Sequence, residues 1–500
     1  MTPNQYTPEE PISSIATALA PAALGIVRVS GKGCIELVSK VFSRPKALLE
    51  AAGNTLVYGW IQTPVVAVPE PVEGVETTGG EVPEGEVSKI DEVMLAVYRA
   101  PKSFTGEDMV EIFCHGGPAV VTAIQNLMLK IGFRQANRGE YTFRAFINGK
   151  TDLTKAEAVK EIIDSHTDAS RSHAAGRLAG SLFAEIDDIK KLIIDTLAAI
   201  EVEIEYPEDE ETIADSFDRE DIETAARRLR ALADSWRGEK LYQDGARVVL
   251  AGRTNAGKSS LFNAILKEER AIVSDIEGTT RDWLESWASI NGIPVRLFDT
   301  AGLRETSDVI EAQGVEISRN LVHDADVVLY LVDGTQGLND EDRQFIENCT
   351  EPLIIVETKI DKSTTSDNNI PVPERSRRAP SVVEPAVPEP GRRVETTICK
   401  ISSKTGAGLS DLFSKITAIL TAGLSTERTQ AGLGSARQKE AVSAALESVE
   451  HALISADDNY TLDAVVQDLE DALDSLGEVT GDVTPDDVLG SIFANFCVGK

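Results

Sequence analysis

Residues 248–259 read VVLAGRTNAGKS, and this pattern decides the fold of the central part of the 500-residue chain. The apolar run at 248–251 is typical of a buried strand, and a glycine-rich loop follows it directly. Glycines let the backbone of such a loop aim N–H groups at phosphate oxygens. Lys258 is then expected to contact the β and γ phosphates, and the Ser259 hydroxyl to bind magnesium. The stretch predicts a phosphate-binding loop between a strand and a helix.

Further motifs follow the loop in an order typical of phosphate-dependent switches. They are Gly-Thr-Thr-Arg-Asp at 278–282, Asp-Thr-Ala-Gly at 299–302, Thr-Lys-Ile-Asp at 358–361 and Ser-Ser-Lys at 402–404. Thr280 can close on magnesium when a γ phosphate is present, while Asp299 and the Gly302 amide sense the metal and that phosphate. The predicted nucleotide contacts are Asn255, Ala256, Gly257, Lys258, Ser259, Ser260, Ser274, Thr279, Thr280, Asp299, Thr300, Ala301, Gly302, Thr358, Lys359, Asp361, Ser402, Ser403 and Lys404.

The base is predicted to be guanine. The Asp361 carboxylate can accept two hydrogen bonds from guanine N1–H and the 2-amino group, a donor pair that adenine lacks. Thr358 stands where this motif usually has asparagine, and its shorter hydroxyl can reproduce only part of the asparagine bonding. The sequence therefore predicts GTP as the substrate, with some loss of guanine affinity.

The patterns on either side divide the chain into several domains of α/β and α class. Residues 245–422 alternate strand-like and helical runs, which predicts a Ras-like P-loop domain with a doubly wound parallel sheet. Within it, residues 283–290, Asn291-Gly292 and residues 293–299 predict a hairpin and thus one antiparallel strand. Residues 1–150 read as a separate α/β domain, and residues 151–244 and 423–500 as two segments of one helical domain that receives the P-loop domain as an insertion.

The helical segments show apolar residues at steps of three and four. The first stripe is Leu178, Leu182, Ile186, Ile189, Ile193, Leu197 and Ile200. The tail from residue 436 supplies similar spacings for the partner helices. Residues 63–88 are predicted to be a disordered loop. The proline-rich residues 363–395 are predicted to be a solvated surface linker, with an RNA or partner contact as the alternative.

Composition excludes several classes of protein. With 82 acidic residues against 49 lysines and arginines, the net charge is −33, which lacks the basic footprint of an RNA binder. If RNA is the substrate, a partner is expected to hold much of it. No apolar run is long enough to cross a membrane, and five scattered cysteines argue against a disulfide framework or a zinc site. We expect a soluble protein of the reducing cytoplasm.

One departure changes the expected catalysis. Leu303 follows Asp-Thr-Ala-Gly where Ras-like enzymes place a glutamine that orients water, so another group must do this. Here the G domain resembles that of the MnmE (TrmE) family of tRNA modification GTPases. The resemblance extends to Phe-Cys-Val-Gly-Lys at 496–500 and, near the amino terminus, to motifs at 25–31, 103–111, 115–118 and 144–150.

For the G domain, the resemblance implies a potassium ion in the place of an arginine finger. Its implied ligands are Asn255, Ser274, the Ile276 backbone and Thr279. The resemblance also implies that Glu311 orients the water, which completes a catalytic set with Lys258 and Asp299. From spacing alone, Glu311 reads as a solvated helix residue. Thr254 replaces the usual proline of the loop, which predicts a looser turn.

For the amino-terminal domain, the resemblance implies binding of 5-formyltetrahydrofolate and formation of a homodimer. The implied folate contacts are Arg28, Glu111, Lys150 and Lys500, with Cys497 nearby. Basic side chains can pair with folate carboxylates and a glutamate can bind the pterin amino edge. The segment at 18–24 lacks the glycines that the family has there, which bears on one wall of this pocket.

The function implied is GTP hydrolysis during modification of the tRNA wobble uridine. In that family the chain acts with the FAD-dependent protein MnmG (GidA) to add an aminomethyl or carboxymethylaminomethyl group, and tRNA binds mainly through the complex. Two alternatives stay open: a ribosome-assembly GTPase, and an adaptor that binds GTP without appreciable turnover. The intact Lys258, Ser259, Thr280 and Asp299 argue against the adaptor.

Overall fold

The structure is a computed structural model, and it describes residues 10–63, 88–205, 217–268, 284–299, 320–362, 397–424, 431–457, 462–484, 486–496 and 499. It divides the chain into two compact units, Met1–Lys160 with Val466–Lys500, and Glu161–Val465. The domain boundaries predicted at residues 150, 244 and 422 stay predictions. The predicted insertion at 363–395 lies outside the described residues. Thr63 and Ser88, the first and last residues of the other predicted insertion, are joined by a backbone hydrogen bond of 2.9 Å, and residues 64–87 lie outside the described residues.

The strands in chain order are β1 (Ile12–Ile15), β2 (Ala22–Ser30), β3 (Thr55–Gln62), β4 (Lys89–Tyr98), β5 (Met109–Gly116), β6 (Arg134–Gln135), β7 (Ala246–Gly252), β8 (Leu284–Ile290), β9 (Ile293–Asp299), β10 (Val327–Asp333), β11 (Leu353–Thr358) and β12 (Thr397–Lys400). The helices are α1 (Cys34–Ser39), α2 (Pro45–Leu49), α3 (Pro118–Lys130), α4 (Glu140–Ile147), α5 (Leu153–Asp164), α6 (Asp168–Leu178), α7 (Ser181–Glu205), α8 (Arg219–Asp244), α9 (Lys258–Glu268), α10 (Asp340–Asn348), α11 (Leu409–Leu420), α12 (Ala436–Asp457), α13 (Leu462–Thr480) and α14 (Asp486–Ala494). Among these helices none is both long and apolar enough to span a bilayer.

The first unit is built on a sheet with strand order β3-β4-β5-β2-β1-β6. Side chains on β5 alternate, so that Val110, Ile112 and Cys114 are buried under α1 and α3, while Glu111 lies on the other face. Antiparallel pairing places Glu111 directly opposite Arg28 on β2. The sheet register therefore brings together two residues that lie 83 positions apart in sequence.

Aromatic packing holds the last helix of the chain in this unit. Phe493 on α14 packs edge-on against Phe143 on α4, with ring centroids 5.3 Å apart. Leu153, Leu489 and Phe496 complete this buried cluster. The packing fixes the carboxyl-terminal residues of the chain to the same unit as Arg28.

The second unit contains a sheet with strand order β12-β11-β10-β7-β9-β8. All of its pairs are parallel except β8–β9, which confirms the predicted parallel sheet with one antiparallel strand. Asn291 and Gly292 have φ values of 50° and 86°, as the predicted two-residue turn requires. The carboxyl ends of β7, β10 and β11 meet at one edge of this sheet, which is where ligands bind in folds of this class.

The predicted helical stripe is partly correct. Leu182, Ile186, Ile189, Ile193 and Ile200 on α7 are fully buried. Leu178 does not belong to the stripe, because it ends the separate helix α6 and is 38% exposed. A change of helix at residues 179–180 interrupts the periodicity, and spacing alone does not show such a break.

Candidate nucleotide and folate sites

The phosphate loop joins β7 to α9 through a backbone that needs left-handed residues. Gly252, Asn255 and Gly257 have φ values of 134°, 62° and 99°. A Cβ on Gly252 would lie 2.5 Å from the Leu331 carbonyl oxygen, so no side chain fits there. The loop ends at the first turn of α9, where free backbone N–H groups and the helix dipole attract anions.

Lys258 lies at this helix start with its side chain turned back over the loop. Its ammonium donates to the Gly252 carbonyl at 2.8 Å and to the Arg253 carbonyl at 2.9 Å. The residue is 7% exposed, so the charge sits close to the loop backbone. Phosphate oxygens accept stronger hydrogen bonds than neutral carbonyls, so a bound nucleotide can draw the ammonium away from these partners.

Ser259, a predicted magnesium ligand, and Asp299, predicted to sense the metal, are bonded to each other, whereas the second predicted ligand, Thr280, lies outside the described residues. The Ser259 hydroxyl donates to the Asp299 carboxylate at 2.9 Å, and Asp299 is 2% exposed at the end of β9. Hydroxyl and carboxylate oxygens are the hard donors that magnesium prefers. The donor set therefore fits a magnesium ion, with Ser259 as the direct ligand expected from the sequence.

The residues predicted to read guanine are tied to the phosphate loop. The buried Thr358 hydroxyl lies 2.7 Å from the Ala256 carbonyl oxygen and 3.2 Å from that of Val332. The next residue, Lys359, donates to the Asn255 carbonyl at 2.8 Å and to the Asp333 carboxylate at 2.6 Å. Thr358 thus makes a direct bond to the loop despite its short side chain, and two neighbouring residues link the base site to the phosphate site.

Asp361 is held in place by the last motif. The Ser402 hydroxyl donates to its carboxylate at 2.8 Å. This bond, with smaller contributions from nearby lysines, holds the pKa of Asp361 below its ordinary value. The carboxylate therefore stays charged near neutral pH, as acceptance of two guanine hydrogen bonds requires. Ser403 and Lys404 follow on the same turn, and Ser260 is exposed on the first turn of α9.

Some predicted residues lie outside the described residues: Ser274, Ile276, Thr279, Thr280, Thr300, Ala301, Gly302 and Glu311. The described member of the predicted potassium set is Asn255. Its side chain is exposed, and its backbone carbonyl is the one that accepts from Lys359. The roles given to all of these residues stay predictions.

In the first unit, Arg28 and Glu111 are partners of each other. The Arg28 guanidinium donates through Nε at 2.8 Å and Nη2 at 2.6 Å to Glu111 Oε1. Its Nη1 donates to the Gly499 carbonyl at 2.8 Å. The predicted contact residues therefore meet the end of the chain, whereas Lys500 and Cys497 lie outside the described residues.

Aromatic residues that sequence reasoning missed surround this pair. The Arg28 guanidinium lies 5.6 Å from the Tyr141 ring centroid and 6.0 Å from that of Phe104. The Tyr98 hydroxyl donates to the second oxygen of Glu111 at 3.3 Å. Phe104 is part of a motif that the sequence singled out, but the positions of Tyr98 and Tyr141 follow only from the sheet register and helix packing. The Arg28 charge therefore lies beside apolar aromatic surface, and a role of these residues in ligand binding stays a prediction.

The fourth predicted folate residue has a different partner. Lys150 donates to the Pro101 carbonyl at 2.9 Å, on the loop that also carries Phe104. The segment at 18–24 leads into β2, where Leu24 is 59% exposed. Both features lie in the same unit as Arg28, and their part in ligand binding stays a prediction.

Comparisons with known proteins cover nearly the whole chain. A family model described as the MnmE helical domain matches residues 153–497, and one described as the GTP-binding protein TrmE N-terminus matches residues 11–150. The tRNA modification GTPase MnmE of Treponema denticola is 48% identical over 504 residues, covering 99% of both chains. That of Carboxydothermus hydrogenoformans is 38% identical over 503 residues, covering 98% of this chain and 100% of the relative.

Among solved structures, a variant of Aquifex aeolicus Era bound to GDP and AlF4− is similar over 41% of this chain and 66% of its own, at 25% identity. Its TM-score of 0.26 is too low to support an argument about the fold. The assignment rests instead on the two family models and on the relatives that match from end to end. The chain belongs to the MnmE family of tRNA modification GTPases.

Proposed function

We propose that this chain hydrolyses GTP with the help of magnesium and potassium, and that hydrolysis serves modification of the tRNA wobble uridine. The observation that carries the proposal is the link between the base site and the phosphate site through Thr358 and Lys359. A guanine held at Asp361 positions its phosphates on a loop already fixed to the same strand end. This arrangement supports hydrolysis of a bound nucleotide, since catalysis of phosphoryl transfer depends mostly on positioning and charge.

Magnesium would be held by Ser259, with Asp299 beside it and Thr280 closing from the switch segment. When bound, the ion would neutralise charge on the phosphates during transfer. The buried Asp299 carboxylate, bonded to the Ser259 hydroxyl, supports this assignment. Lys258 would add a second positive charge at the phosphates.

Potassium would be held by Asn255, Ser274, the Ile276 backbone and Thr279. Such an ion supplies the positive charge that an arginine finger supplies in other GTPases. The exposed Asn255 side chain at a left-handed position of the loop supports this part of the proposal. Glu311 would orient the water in place of the missing glutamine.

The amino-terminal domain would bind 5-formyltetrahydrofolate as the one-carbon source and form the homodimer. The Arg28 guanidinium, which is bonded to Glu111, lies near the Phe104 and Tyr141 rings, which supports a ligand with a flat ring system. Because Arg28 already donates to Glu111 and Gly499, a folate carboxylate would have to share or displace one of these partners. The carboxyl-terminal residues are thereby part of the proposed site.

MnmG (GidA) would be the second protein of the reaction, which adds the aminomethyl or carboxymethylaminomethyl group. A net charge of −33 argues that tRNA binds mainly through this partner, since a strongly acidic chain repels RNA. The predicted discontinuous helical domain would carry the effect of GTP hydrolysis to the complex.

Modified nucleosides provide the test. A strain that lacks the gene is complemented with the parent chain or with Lys258→Ala, and its tRNA is digested and analysed by mass spectrometry. We expect the wobble modification with the parent chain and its loss with the variant. Unmodified tRNA in both strains, with an altered profile of ribosomal subunits, would instead identify a ribosome-assembly GTPase.

A further inference from the structure

The antiparallel hairpin of β8 and β9 in the second unit carries a tryptophan that stacks on a histidine outside the sheet. Trp287 on β8 stacks on His166, with ring centroids 4.0 Å apart and planes at 26°. His166 belongs to the short segment between α5 and α6 and is not part of the sheet. The ring pair therefore joins the hairpin to the helices that begin at α6.

The same tryptophan contacts the chain where it passes from α8 into β7. Gly245 at this passage has a φ of 69°, and a Cβ on it would lie 2.4 Å from the Trp287 ring. The ring thus fills the space that a side chain at residue 245 would need. It packs against the connection between the helices and the strand that leads to the phosphate loop.

Trp287 also contacts β9, the strand that ends at Asp299. Arg296 on β9 pairs with Trp287 in register, and its guanidinium lies 5.6 Å from the Trp287 ring centroid. The same guanidinium lies 5.6 Å from the Phe298 ring and donates to Glu285 at 2.8 Å. The side-chain contacts thus run from His166 through Trp287 and Arg296 to Phe298, the residue that precedes Asp299 at the end of β9.

We propose that Trp287 is a positioning residue that couples the state of the nucleotide at Asp299 to the helices α6 and α8. This rests on the proposed role of Asp299 beside magnesium. Arg296 lies three residues before Asp299, about 10 Å along the strand. Pairing with β7 on one side and β8 on the other holds this stretch of β9 in register. A change at Asp299 on loss of the γ phosphate therefore moves Arg296 against Trp287, and Trp287 against His166 and Gly245.

The reverse effect follows from linkage. If the nucleotide state alters the stack, then the stack alters the relative stability of the nucleotide states. Removing the Trp287 ring should lower turnover through poorer placement of Asp299, while guanine and phosphate contacts elsewhere preserve binding. If Trp287 had a purely structural role, its removal would lower both turnover and nucleotide affinity, or neither.

Amide hydrogen exchange of the full chain tests the coupling, with magnesium and either GDP or the β,γ-imido analogue of GTP. In the parent chain we expect residues 168–178 and the last turns of α8 to exchange at different rates in the two states. Trp287→Ala should abolish this difference and lower kcat about three- to tenfold, with GDP affinity changed less than about threefold. Trp287→Phe, which keeps a ring against His166, should retain most of the exchange difference and most of kcat.

Variants of His166, whose ring stacks on Trp287, provide a second test in case Trp287→Ala fails to fold. His166→Ala should act as Trp287→Ala does, and His166→Phe should act as the parent chain does. The coupling is refuted if the parent chain binds both nucleotides with identical exchange of α6 and α8, or if the alanine variants keep the difference. Failure of the parent chain to bind GDP at all would instead refute the proposed function.

Discussion

Replacing Thr358 by valine tests the link between the base site and the phosphate loop. Valine has nearly the shape of threonine, so the substitution removes the hydroxyl and leaves little cavity. The hydroxyl lies 2.7 Å from the Ala256 carbonyl oxygen, and Thr358 is 1% exposed, so water cannot replace the bond. Loss of one such buried bond costs about 1–2 kcal/mol, somewhat more than an exposed bond. If that cost falls on the binding conformation of the loop, GDP affinity drops about 5- to 30-fold.

Titration of a fluorescent GDP analogue measures the effect. Thr358→Ser keeps the hydroxyl and should bind within about twofold of the parent chain, because the hydrogen bond is retained. Thr358→Asn introduces the residue usual in this motif and should bind at least as tightly as the parent. A Thr358→Val chain that folds and binds GDP as tightly as the parent would refute the idea that this hydroxyl organises the loop.

The remaining predictions concern specificity, turnover and stability. Asp361→Asn should weaken GTP binding about 100-fold or more and improve binding of xanthosine nucleotides, measured by competition, because the amide can donate to the 2-oxo group. Glu311→Ala should lower turnover about 100-fold with GDP affinity nearly unchanged, and a large loss of affinity would assign this residue a structural role. Arg177 on α6 is 2% exposed and forms ion pairs with Glu161 and Glu239. Arg177→Met should lower the free energy of unfolding by about 3–5 kcal/mol in denaturant titrations, because these two carboxylates lose their cation, whereas Arg171→Met on the same helix should cost less than about 1 kcal/mol. Burial alone raises the pKa of Glu239, but the bonds from His173 and Arg177 outweigh it and hold the pKa below its ordinary value. This carboxylate therefore stabilises the fold above the ordinary glutamate pKa, and the contribution should disappear as acid protonates it.

Sequence patterns were informative where one physical requirement acts locally. The phosphate loop needs glycine where the backbone has a positive φ, and Gly252 and Gly257 have φ values of 134° and 99°. The hairpin was predictable because Asn291-Gly292 suits only a few turn types. The order of the motifs placed Asp299, Thr358 and the Ser402 segment at one edge of a parallel sheet.

Other features depend on register and long-range packing, which local patterns do not encode. The pairing of Arg28 with Glu111, and the bond from Arg28 to Gly499, join residues from distant parts of the chain. The stack of Trp287 on His166 is of the same kind, since each residue alone reads as an ordinary apolar or solvated position. The apparent stripe through Leu178 shows the opposite error, in which regular spacing continues across a break between two helices.

The most direct test of the account is GTP hydrolysis by the purified chain with magnesium, in potassium and in sodium at equal ionic strength. We expect turnover that is markedly faster in potassium, because the ion proposed at Asn255 would supply the charge that an arginine finger supplies in other GTPases. Equal rates in the two salts would leave a GTPase without a potassium site. No turnover in either salt would contradict the central claim and favour an adaptor that only binds GTP.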